Sequence, residues 1–198
     1  VNEQQNRVAP ETVIADTQRW LERAVIGLNL CPFAKSVHVK GQVHYVVSPA
    51  TSPPELLEQL RRELAALHAA DPERRDTTLL IAPYCLQEFL DFNDFLAEAD
   101  AVLEALGLEG ELQIASFHPQ FQFAGTDADD ITNYTNRAPY PTLHLLREAS
   151  IDRAVEAFPE AETIYEKNMQ TLKQLGHAGW AELALNPQDA VKKRGESP

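Results

Sequence analysis

Apolar positions along the chain recur at two spacings, and the alternation between them outlines the fold. From Pro10 to about Leu28 they fall at Val13, Ile14, Leu21, Ala24, Val25 and Leu28, a helical spacing that predicts one buried stripe. Pro32 forbids simple continuation and leaves Cys31 at a junction. GQVHYVVS, residues 41–48, has the alternation and β-branched content of a strand. Ser52, Pro53 and Glu55 then give a helix start with Ser52 as N-cap, and Leu56, Leu60, Leu64 and Leu67 share one side of the helix that runs to Asp71-Pro72. TTLLIAP, residues 77–83, is short, continuous and apolar, as suits a strand covered on both faces. A helix from about Gln87 to Leu106 ends at Gly107, and strands follow at 111–118 and 142–146. Ser150 reads as the cap of a helix to about Phe158 that is renewed after Pro159 through Leu175.

The resulting order, α-βαβαββ-αα, predicts a single α/β domain. Its sheet should be mixed or partly parallel, with about four to five strands covered by helices. Residues 1–9 read as a flexible N-terminus, 10–176 as the domain, and 177–198, ending in VKKRGESP, as a loosely held tail. A length of 198 residues suits one sizeable core.

Charge narrows the partners. Thirty acidic against seventeen basic residues give a net charge of −13, a field that repels phosphate backbones and anionic lipid, so neither nucleic acid nor membrane is expected. A local pocket can still hold an anionic small molecule, because net charge describes the long-range field and not each cleft. No apolar run approaches the ~20 residues of a membrane span, and the polar start VNEQQNR lacks the order of a secretory signal. Cys31 and Cys85 are too few for a disulfide framework. A soluble, cytoplasmic protein is the expectation.

Candidate chemistry gathers between Phe117 and Leu146, in FHPQFQFAGTDADDITNYTNRAPYPTLHLL. The connection from Pro119 to Tyr140 far exceeds the ~12–15 residues at which structureless loops become uncommon. Phe121, Phe123, Tyr134 and Tyr140 give it apolar surface with which to order. In open sheets ligands lie outside the carboxyl ends of parallel strands, which points to Ser48, to Pro83-Tyr84-Cys85 and to His118. His118 and His144 bracket the loop, with Asp127, Asp129, Asp130, Asn133, Asn136 and Arg137 inside it. Histidine beside carboxylate is the composition of an acid/base pair or of a divalent-metal site. The same Asp and Asn residues also make turns, and each histidine can serve a structural hydrogen bond. No EF-hand series, HExxH, paired CxxC, GxSxG or Walker motif is present. Arg137 and Arg147 are candidate grips on a carboxylate or phosphate. Cys31, before Pro32 and near Lys35, is a candidate reactive thiol, or else a small core residue.

GLNLCPFA (27–34), SFHPQFQFAG (116–125) and NYTNRAPYPTLHLLRE (133–148) resemble the bacterial family recorded as domain of unknown function 1415, from the first helix to about Leu175. The resemblance implies a soluble bacterial protein with plant relatives and carries no activity or cofactor. Two functions follow from the residues. One is a small-molecule enzyme of hydrolase or transferase type, acting on an anionic molecule under the 119–140 loop. In it His118, His144, Asp130 or Asp129, and Cys31 do the chemistry, while Arg137, Asn136, Asn133 and Tyr140 bind substrate. The other is a non-catalytic ligand-binding or protein-interaction module that uses the aromatic loop as its contact surface.

Overall fold

A computed structural model describes residues 7–157 and 163–185. Its elements are α1 (Pro10–Trp20), a π-helical segment (Leu21–Ile26), α2 (Ala34–Val39), β1 (Val43–Val47), α3 (Pro53–Ala69), β2 (Thr77–Ile81), α4 (Phe89–Ala105), β3 (Leu112–Phe117), a 3-10 turn (Ile131–Asn136), β4 (Thr142–Arg147), α5 (Glu148–Ala157) and α6 (Ile164–Glu182). The mixed sheet has the order β1-β2-β4-β3. β1 and β2 are parallel, and β4 is antiparallel to both β2 and β3. β1, β2 and β3 therefore point the same way, and their carboxyl ends share one edge, as the strand–helix alternation implied.

Helices cover both faces. On one, Leu56, Leu60, Leu64 and Leu67 of α3 are fully buried with Phe92, Phe95 and Ala99 of α4 against Leu80, Leu143 and Leu145 of the sheet. Each such leucine contributes roughly 1.5–3 kcal/mol of burial. All five residues of β2 are buried, which is why that strand reads as an unbroken apolar run. On the other face, Val13 packs on Leu79 and Ile81, and Trp20, Leu21, Ala24 and Val25 form a second cluster.

Several local expectations are corrected. The first helix does not stay α-helical to Leu28: from Leu21 it widens, with Gly27 N–H bonding Glu22 O at 3.0 Å and Leu30 N–H bonding Val25 O at 2.9 Å. The short helix α2 after Cys31 had no periodic signal, since none of its residues is buried. Ser52 is the N-cap of α3 by position but its side chain makes no cap bond; the Glu55 carboxylate instead reaches back to Thr51 N–H at 2.8 Å. Ser150 caps nothing, because α5 starts at Glu148 and the Ser150 hydroxyl donates to Asp76 at 2.6 Å. The compact unit continues past 176: α6 resumes beyond Gly176, Leu185 is buried, and Arg19 and Arg23 donate to the carbonyls of Leu185 (3.2 Å) and Leu183 (2.9 Å). Residues 1–6, the break around Pro159 and the tail from 186 lie outside the described residues.

Candidate functional site

The 119–140 connection is an ordered loop held by its own polar side chains. Asn133, fully buried, is its hub: its carbonyl oxygen accepts from Phe123 N–H (2.9 Å) and Thr126 Oγ1 (2.8 Å), and its amide donates to Asp127 O (2.8 Å). Asp130 caps the 3-10 turn through Thr132 N–H (2.8 Å) and Thr132 Oγ1 (2.7 Å), bonds that hold its carboxyl below the usual range. Arg137 lies over the Tyr134 ring at 4.3 Å and donates to Phe121 O (3.1 Å) and Ala128 O (2.5 Å). Asn136 ties the loop to β3 through Ser116 O (3.3 Å). Tyr140 donates to the buried Asp16 carboxylate at 2.8 Å, and Arg19 holds the other oxygen at 2.7 Å. Burial and that carboxylate together push the Tyr140 phenol up.

His118 stands at the carboxyl end of β3, as expected, but is fully buried between Phe89 and Phe92. Its Nδ1 accepts Gln120 N–H at 3.0 Å, so Nε2 carries the proton and donates to Leu86 O at 3.1 Å. Burial pushes its pKa down. Both ring nitrogens are thus spent on backbone. Arg147, the other candidate anion grip, donates instead to the carbonyls of Leu67 (2.5 Å) and Ala70 (2.7 Å) at the end of α3.

A cavity of about 1100 Å³ opens elsewhere, on the sheet face opposite α3 and α4. Its floor is Gln113, Ala115 and Phe117 of β3, His144 and Leu146 of β4, and Thr77 and Leu79 of β2. Trp20, Cys31, Phe33 and Val37 form one wall, and Ile151, Ala154 and Ala157 of α5 form the other. The period of two explains the floor: Ala115 lies opposite His144 and Gln113 opposite Leu146, so all four project from the same face. No residue of the 119–140 loop lines this cavity, and it extends toward the amino ends of β1 and β2 rather than over the carboxyl edge. Of the expected site residues it brings together Cys31 and His144; His118, Asp130, Asn133, Asn136, Arg137 and Tyr140 are placed elsewhere.

His144 is the most perturbed group there. Nε2 lies 2.7 Å from Thr77 Oγ1, Nδ1 has no hydrogen-bond partner among the described residues, and burial pushes the pKa down to about 4, so the ring is neutral at pH 7. Part of the ring remains open to the cavity. Burial pushes the Cys31 thiol up, only partly offset by the N–H groups of Phe33 and Ala34. The side chains of Gln113 and Lys40, also on the lining, have no polar partner among the described residues. At the rim, Arg153 donates to Ser150 Oγ (2.9 Å), which donates to Asp76. Lys40 and Arg153 are matched there by Glu73 and Asp76. Among the described residues, no three His, Cys, Asp or Glu side chains gather in a way that would hold a metal ion.

A family model described as a protein of unknown function (DUF1415) matches residues 12–182. This chain belongs to that family. The DUF1415 match spans the fold from α1 to the end of α6, so the cavity and the ordered loop both lie within the family domain. No curated protein and no solved structure matches the chain. No helix among the described residues is long and apolar enough to cross a membrane.

Sequence reasoning missed Thr77, Gln113, Ala115, Phe117 and Trp20 as cavity residues. A signal existed for part of this: the alternation Gln113, Ala115, Phe117 puts a polar residue in line with apolar ones. That the facing helices stand off from the strands to leave a cavity had no counterpart in the pattern.

Proposed function

We propose that this DUF1415 protein binds a small, largely apolar molecule in the sheet-face cavity. The observation that carries the reading is the cavity itself. It is large enough for a drug-sized ligand, apolar over most of its wall, and furnished with a few polar groups whose bonds are unfilled, His144 Nδ1 and the Gln113 amide, which is the composition of ligand sites. A neutral environment-sensitive dye such as Nile red tests it. Saturable binding by the wild type should be weakened at least tenfold by Ala115→Trp, which fills the space opposite His144 without touching the α3–α4 core. Absence of saturable binding, or an unaffected variant, refutes the reading.

One observation favours the enzyme reading, of hydrolase or transferase type: Cys31 and His144 line the same cavity. A raised thiol pKa and a histidine that protonates only near pH 4 leave neither a ready thiolate nor a base matched to neutral pH, and binding is therefore preferred. Alkylation of Cys31 by iodoacetamide faster than that of free cysteine would reverse the preference. An anionic ligand would find cations only at the rim, where carboxylates balance them. A cytoplasmic location in a bacterial cell is part of the same proposal, supported by two free thiols and the acid-rich composition.

A further inference from the structure

Resting on that ligand-binding reading, we propose that the deep end of the ligand is an uncharged hydrogen-bond donor, an alcohol, phenol or amide N–H, received by His144 Nδ1, and that Thr77 sets this preference. Thr77 Oγ1 lies 2.7 Å from both Leu145 O and His144 Nε2. A hydroxyl has one proton, and a carbonyl can only accept, so Thr77 donates to Leu145 O. The bond to His144 then requires Nε2 to carry the hydrogen and Thr77 to accept it. A neutral imidazole protonated at Nε2 has a bare lone pair at Nδ1. The ligand must bring the donor.

The arrangement is built into the sheet and not into a loop. Thr77 is on β2 and His144 and Leu145 on the adjacent β4, and both Thr77 and Leu145 are buried. Opposite His144 on β3 stands Ala115, whose methyl leaves room beside the ring, and the Phe117 ring lies 6.1 Å from the imidazole. An anion brought to this position would set lone pair against lone pair and lose its hydration, since no described cation is bonded to the histidine and Lys40 and Arg153 belong to the rim. A neutral donor meets neither penalty. Gln113, diagonal to His144 across β3 and β4, offers a second polar contact roughly 7–8 Å away by strand geometry. Thr77 is thus a positioning residue, and His144 the group that touches the ligand.

Three naphthalenes of one size test the inference: 2-naphthol carries the donor, 2-methoxynaphthalene lacks it, and 2-naphthoate carries an anion. Displacement of Nile red at pH 7.5 should rank naphthol at least tenfold tighter than the methyl ether, with naphthoate weakest. Thr77→Val and His144→Phe should each bring the naphthol-to-ether ratio close to one, and Thr77→Ser should keep it. Nitrogen-15 NMR of the wild-type imidazole reads the tautomer without any variant, and His144 should be protonated at Nε2 alone. A naphthol-to-ether ratio near one in the wild type, preference for naphthoate, binding of the dye but of none of the three, or a proton on Nδ1 would overturn the inference while leaving the cavity reading in place. Failure to hold the dye itself would remove the cavity reading.

Discussion

Lowering the pH from 7 to 4 should destabilise the protein through His144, by an amount the structure sets. The unfolded ring takes a proton near 6.5, whereas burial pushes the folded pKa down to about 4. Between those values the unfolded chain binds a proton that the folded protein refuses, so stability falls as the pH drops through that window. Above 6.5 and below 4 the ring contributes no slope. A gap of that width is worth on the order of 3 kcal/mol at 1.36 kcal/mol per pH unit, and the part of the ring open to the cavity reduces this to roughly 2–3. His144→Gln is the reference, since its amide N–H can still donate to Thr77. Other titrating groups, including His44 and His118, whose pKa values burial also pushes down, are common to both proteins and cancel in the difference. Urea unfolding at four pH values, followed by fluorescence of Trp20 and Trp180, measures both curves. Wild type should lose roughly 2–3 kcal/mol more than the variant between pH 7 and 4. Parallel curves would show that His144 is solvated or already charged, and the account of its neutrality would be wrong.

Three further substitutions have defined outcomes. Asn133→Ala leaves Phe123 N–H without its acceptor and Asp127 O without its donor at a fully buried hub, and should cost roughly 2–4 kcal/mol in chemical denaturation while speeding proteolysis within 119–140. Gly176→Ala places a side chain at φ 64° and ψ 177°, a region open essentially to glycine, with nothing within 4 Å of the added carbon. Its cost of roughly 1–3 kcal/mol should therefore be pure backbone strain, equal for Ala and Ser in thermal melts. Tyr45→Phe removes a hydroxyl that is buried with no partner and whose pKa burial pushes up to about 12, so stability should hold or rise by up to ~1 kcal/mol; a loss above that figure would mean the hydroxyl is bonded.

The elements were legible wherever one face alone decided the pattern. Leu56, Leu60, Leu64 and Leu67 face a single neighbour layer, and their spacing gave α3 almost to the residue. The two-sided burial of β2 showed as an unbroken apolar run. The loop was recognised as ordered from its aromatic residues, but the polar residues that suggested chemistry are those that hold it: a chain this long, crossing a sheet edge, must fill its own backbone bonds, and Asn133, Asp130 and Arg137 do that. His144 was singled out for its place beside the loop, whereas its surroundings are set by Thr77 and Ala115 on neighbouring strands. Those pairings depend on β4 entering between β2 and β3, a choice of strand order that local periodicity does not encode.

That insertion also dictates the order in which the molecule can assemble. Among the described residues β4 alone joins the β1–β2 pair to β3, and it follows all three of those strands in the chain. A nascent chain released only as far as Tyr140 has one parallel pair and a detached third strand with both edges bare. Parallel pairing and late closure are both slow, because their loop entropy must be met before the contacts that repay it exist. The sheet should thus close in a cooperative step gated by residues 142–147, and fragments ending before them should aggregate through β3.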